Sequence, residues 1–299
     1  MQRKLAVFCA LLLAAAGARA ADQPRTDAPP PAAIRWTKFV DPAEGAFSLD
    51  VPAGWRVTGG LRRVSAVESR SGVDIASSDG MIQIFYGDVG IPTYTLPSPL
   101  ITEAGIDIGG TYSPGADRQF VVMPYRNGQT FADRWGAERM ARGCGGVEHI
   151  GAQGRPDVGR GIDQAFAAHG IQTWIDAGEA NFVCSLQSMP AVGYVFAATE
   201  MARTQIGALW GVKSLVGFVA ARTRAAEAYA LMERIVASFR IDPGWAARQH
   251  QTPAQTSAVT ANQVVSNALA ENRRTLQATS DLDVAGARAH VTNREIAGR

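Results

Sequence analysis

Lysine is almost missing from this chain: Lys4, Lys38 and Lys213 are the only three in 299 residues, and arginine carries the rest of the positive charge. That scarcity reads as the codon bias of a GC-rich genome. A charge excess is missing too. The whole chain has 29 Lys and Arg against 27 Asp and Glu. Residues 1–20 hold Arg3, Lys4 and Arg19 and no acid, which leaves 26 basic against 27 acidic residues beyond them. Tight nucleic-acid binding relies on basic groups that displace counterions from phosphates, so no nucleic-acid partner is expected. Past residue 20, no apolar run approaches the ~20 residues that a transmembrane helix needs, so no transmembrane segment is expected there. Histidine is limited to His149, His169, His250 and His290, and cysteine to Cys9, Cys144 and Cys184.

Strong catalytic motifs are also missing. There is no G-x-S-x-G, H-E-x-x-H, P-loop, EF-hand loop or C-x-x-C. "ESRSGVD" around Ser71 lacks the first glycine of a nucleophile elbow. "GCGGVEHIGAQG" lacks the Rossmann spacing and reads as a helix stop and turn. Asp74, Asp79, Asp107 and Asp117 fall in turn-like contexts, where aspartate hydrogen-bonds its own backbone. These absences favour a non-enzymatic binding or assembly protein, with no cofactor and an unidentified protein or small-molecule partner in the cell envelope. Two alternatives keep a candidate chemistry. A periplasmic hydrolase would use His149, His169 and carboxylates near the 87–117 loop. A metal carrier would bring His149, beside Glu148, near His169, though without ligand-like spacing. Asp163, His169 and Cys184 are the residue types of a thiol hydrolase, but nothing in their spacing supports one.

What is present begins with the N-terminus. Arg3 and Lys4 precede an apolar Leu5–Ala16 stretch, and Ala18-Arg19-Ala20 fits small-x-small cleavage before Ala21. Residues 1–20 are therefore expected to be a cleaved signal peptide, with the protein periplasmic or secreted. Cys9 leaves with that segment. In an oxidising compartment, Cys144 and Cys184 are expected to form a disulfide. Closing that loop stabilises by roughly 4 kcal/mol on chain-entropy grounds. Residues 21–35, with Pro24 and Pro29–Pro31, read as a disordered leader.

Residues 36–245 read as a single α+β domain, an antiparallel β-sheet flanked by helices. Phe47, Leu49 and Val51 alternate with Ser48 and Asp50, Pro52 stops that strand, and Trp55 and Val57 start the next. Ser78-Asp79-Gly80 predicts a turn before "MIQIFY". A helix capped by Thr130 is expected through "FADRWGAERMARGCG", and a second over 225–239 with Tyr229, Met232, Val236 and Phe239 inward. "VEHIGAQ", "QAFAAHG", "IQTWIDAG", "EANFVCSL", "GYVFAATEM" and "WGVKSLVGFVAA" read as strands, with a hairpin at Asp176-Ala177-Gly178 and a stop at Pro243-Gly244. Residues 246–299 read as a helical or disordered arm, with Val265, Leu269 and Leu276 on one side of a weak helix that Asn272 interrupts.

Residues 87–117 are dense in glycine and proline and have no sustained period. Long irregular segments of this kind are often functional. Tyr94 and Tyr112 lie within it, and Arg118, Arg126 and Trp135 follow closely. These five are the candidate ligand or partner surface, since tyrosine, tryptophan and arginine anchor interfaces; the alternative is that the tyrosines pin the segment to the sheet.

Phe47, Leu49, Val51, Pro52, Gly54 and Trp55, with "RIVASFRI" (Ile235, Ser238, Phe239) far downstream, resemble the opening and closing stretches of PsbP-like domains. The resemblance brackets residues 37–241, with its specific matches confined to the ends. It implies an antiparallel sheet sandwiched by helices, an α/β/α arrangement, and binding or assembly more often than catalysis. It carries over no site residues.

Overall fold

A computed structural model describes residues 34–65, 68–115, 118–204, 207–249 and 260–274. The expected signal peptide, nearly all of the leader, and the arm beyond residue 274 with Leu276 lie outside these residues, as do His250 and His290.

Thirteen strands among the described residues form two antiparallel-based sheets. The small one orders β1 (Trp36–Val40), β2 (Phe47–Pro52) and β13 (Arg240–Ile241) with β2 central. Phe47, Leu49 and Val51 are buried while Ser48 and Asp50 are half-buried, as the alternation requires. The large sheet runs β3 (Arg56–Arg63), β4 (Ser69–Ala76), β5 (Ile82–Gly87), β12 (Gly207–Ala221), β11 (Met189–Thr204), β10 (Ile175–Leu186) and β9 (Gly145–Gly154). A short β6 (Tyr94–Thr95) pairs with β12 and carries β8 (Arg118–Val122) and β7 (Thr111–Gly115) to one side.

Helices cover both faces of the large sheet. Over one face lie α3 (Pro156–Ala167), α4 (Ala225–Ser238), α5 (Pro243–Arg248) and α6 (residues 260–274), together with the small sheet. Their apolar stripes meet Ile75, Ile84, Phe196 and Phe218. Over the other face α2 (Gly128–Ala141) packs Phe131 and Met140 with Phe182, Val195 and Leu215. A short α1 (Pro99–Glu103) lies in the irregular segment. Helix α2 needs glycine at its contact with β10. A Cβ on Gly178 would lie 2.3 Å from the Gln129 backbone nitrogen. The expected antiparallel sheet flanked by helices is therefore present.

Several local expectations are corrected. "QAFAAHG" belongs to α3, because Pro156 opens a helix that buries Val158, Ile162 and Phe166 at helical spacing. Asp176-Ala177-Gly178 makes no hairpin. It lies inside the continuous strand β10, and its glycine serves the close approach of α2. Asn127, three residues before Thr130, caps α2: its side-chain oxygen accepts from the Thr130 N–H at 2.9 Å. Pro243 starts α5, with Asp242 as its cap. Residues 87–117 contain β6, α1 and β7 rather than continuous loop.

Candidate functional site

The large sheet is interrupted at one place. Strand β5 pairs with β12 as far as Tyr86 opposite Val216. The chain then leaves the ladder and rejoins as β6, with Tyr94 opposite Trp210. Among the described residues no strand pairs with residues 211–215 of β12 on that edge. The turn away requires Gly87. Its φ of +68° suits a residue without a side chain, and a Cβ there would lie 2.3 Å from the Ser71 carbonyl. The excursion is then fixed from within, as the Asp88 carboxylate accepts from the Gly90 N–H at 2.7 Å. The Thr93 hydroxyl anchors it to the Glu68 carboxylate at 3.2 Å.

The other edge of β12 is irregular at the same level. Ala198 faces Ser214 and Thr199 faces Val212, so Lys213 is an extra residue in the ladder. Such bulges bend a strand and redirect a side chain, and they are frequent beside binding sites. Here the Lys213 ammonium meets the Glu200 carboxylate at 2.7 Å.

Between the excursion, the start of β4 and this stretch of β12 lies a cavity of about 460 Å³. That falls within the ~300–1,000 Å³ of small-ligand sites. Its charged lining is Glu68, Arg70, Asp88, Glu200 and Lys213. Arg70 is paired with Glu68 at 2.7 Å. Ser69, Ser71, Ser214 and Thr93 add hydroxyls, and no histidine or cysteine lines the cavity. The arrangement offers backbone hydrogen-bonding groups, both charge signs and hydroxyls, without an imidazole to activate a serine.

The five residues singled out in the sequence lie around this cleft or apart from it. Tyr94 stacks on Trp210 with ring centroids 4.1 Å apart, and burial pushes its hydroxyl pKa up. Trp135 packs edge-on to Phe85 at 5.2 Å, within the core under α2. Phe131 and Trp210 link these two rings, and of this aromatic cluster Trp210 lines the cavity. Arg126 is half-buried, with a guanidinium N–H 3.7 Å from the Met123 sulfur. Tyr112 and Arg118 sit together on the β7–β8 hairpin, outside the lining. The charged residues of the cleft were passed over in the sequence. Lys213, one of three lysines and the only charge within "WGVKSLVGFVAA", was the available signal.

The residues of the alternative chemistries are dispersed. His149, on β9, faces Asp133 of α2 at 3.3 Å. His169 follows α3 on the opposite face of the sheet, its Nδ1 3.1 Å from the Ala165 carbonyl. Cys144 and Cys184 stand at disulfide distance, their Cα atoms 5.8 Å apart. Among the described residues no group of three or more His, Cys, Asp or Glu side chains is placed to hold a metal ion. No described helix is long and apolar enough to cross a membrane. No protein-family profile matches the chain, and no curated protein is significantly similar to it.

Proposed function

We propose that this chain is an exported, non-enzymatic binding module of the PsbP-like type, and that the cleft beside residues 88–93 is where it holds its ligand. The observation that carries the reading is the edge of β12 at 211–215, which no strand among the described residues pairs on that side, inside a cavity lined by both charge signs. An unpaired strand edge recognises amide groups through its backbone. Arg70 and Lys213 suit a carboxylate, and Glu68, Asp88 and Glu200 suit an ammonium group. A short extended peptide with free termini has all three features, which makes it the ligand class of this proposal. Export rests on the order of basic, apolar and small-residue segments in residues 1–20. The paired position of Cys144 and Cys184 agrees with an oxidising compartment.

Calorimetric titration of the protein from Ala21 onward with a tripeptide and tetrapeptide library tests the ligand reading. Binding is expected, and Arg70→Ala with Lys213→Ala should weaken it at least ~10-fold, as the loss of two charge-assisted contacts does. Absence of peptide binding, or equal affinity in the double variant, overturns it. N-terminal sequencing of protein from a cell-envelope fraction tests export, with Ala21 as the expected first residue.

A further inference from the structure

Away from the cleft, two oppositely charged side chains are buried together among the described residues. Glu179, on β10, is 3% exposed, and Arg155, between β9 and α3, is 9% exposed. Glu179 Oε2 accepts from the Tyr194 hydroxyl at 2.7 Å and from Arg155 at 3.3 Å, and its other oxygen accepts from Gln153. Arg155 is also held by Asp157 at 2.9 Å. Tyr229 of α4 packs against the Tyr194 ring, and burial pushes its hydroxyl pKa up to about 12.

One further residue completes this site, and it comes from the C-terminal arm. The Asn272 carboxamide of α6 reads both charges at once. Its Nδ2 donates to Glu179 Oε2 at 2.7 Å, and its Oδ1 accepts from Arg155 at 2.9 Å. A carboxylate beside a guanidinium is a matched acceptor and donor for a primary amide. Asn272 fills it as a ligand would.

The rest of the α6 contact is mixed. Val265 and Leu269 are buried, and Val264 packs so closely on α3 that a Cβ on Gly161 would lie 2.8 Å from it. Asn262 hydrogen-bonds Tyr86, and Arg273 pairs with Glu233 of α4 at 3.0 Å. Asn272 covers the Glu179–Arg155 ion pair, and the desolvation of such a pair opposes docking. The helix is also too weakly apolar to be stable alone. Both effects lower the net free energy of attachment.

We propose that α6 is a tethered occupant of a carboxamide-reading site formed by Glu179, Arg155 and Tyr194, and that a helical segment presenting an asparagine side chain can replace it. The occupant in trans is α6 of a second copy of this chain, which carries the matching residues. This site is separate from the cleft and stands or falls independently of it.

The test uses the folded full-length protein with a site-specific protease sequence placed within residues 250–259, cut after folding. A labelled peptide of residues 260–274 is then added and followed by fluorescence anisotropy. The expected result is exchange of the cut segment for the peptide, with the Asn272→Ala peptide binding at least tenfold more weakly and an Asn272→Gln peptide restoring part of the loss. Uncut protein should bind the peptide far more weakly, because its own α6 competes at high local concentration. Equal binding of the wild-type and Asn272→Ala peptides overturns the proposal. So does failure to exchange, or loss of the fold by circular dichroism on cutting, since either makes α6 a fixed part of the core.

Discussion

Asp41 shows how one residue organises a corner of this molecule. It is 3% exposed, and its carboxylate accepts four backbone N–H bonds, from Ala43, Glu44, Ala46 and Leu61. Burial alone would raise its pKa, but the backbone donors outweigh it and hold the carboxyl below the ordinary carboxylate range. A depressed folded pKa contributes stability that is fully present above the unfolded value near ~3.9 and is lost as pH falls through the folded value. Asp41→Asn is therefore expected to destabilise by about 1–3 kcal/mol at pH 7, because an amide nitrogen replaces an acceptor. In urea titrations the gap from wild type should narrow below about pH 4, where protonation removes the wild-type advantage. A constant gap across pH would contradict this assignment. Trp55, by contrast, is only half-buried at the edge of the core. Trp55→Ala should cost about 2 kcal/mol, below the ~3–5 kcal/mol of a fully buried aromatic ring.

At the scale of elements, α2 ties β10 to the cysteine pair. Its first turn lies on the β10 backbone at Gly178, and its last residues lead to Cys144, opposite Cys184. Gly178→Ala should destabilise by about 2–3 kcal/mol, as overpacking against backbone does. The near-ultraviolet circular dichroism of the aromatic rings under α2 should weaken with it. Replacing both cysteines with serine should lower stability by about 2–4 kcal/mol in non-reducing buffer, and the gap from wild type should shrink in reducing buffer to the cost of burying two hydroxyls. Strand β12 is the other decisive element. Its interruption at 211–215 and its bulge at Lys213 coincide, and together they place charged side chains beside free backbone groups.

For the whole molecule, the arrangement of two cores on one sheet sets cooperativity. Strands β11 and β12 place Phe196 and Phe218 in one core and Val195 and Leu215 in the other. Neither core can melt without exposing the sheet that serves its partner. Tryptophan fluorescence and far-ultraviolet circular dichroism should therefore give the same urea midpoint, the signature of a single transition. Two separated midpoints would show that the cores unfold independently.

Sequence alone determined the elements whose signal is local. The alternation of Phe47, Leu49 and Val51, the β4–β5 turn at Ser78-Asp79-Gly80 and the apolar stripe of α4 follow from side-chain periodicity. The proximity of the cysteines was also legible, from their number. Sequence failed where a residue answers to a distant partner. Gly178 resembles a turn residue because its requirement for no side chain comes from Gln129, 49 positions away. Asn272 resembles a break in an apolar line because Glu179 and Arg155 lie 93 and 117 positions away. The cleft was hidden for the same reason: the missing pairing of residues 211–215 belongs to the register between strands and to no stretch of sequence. Periodicity fixes which face a residue turns inward, but only the folded chain decides what that face meets.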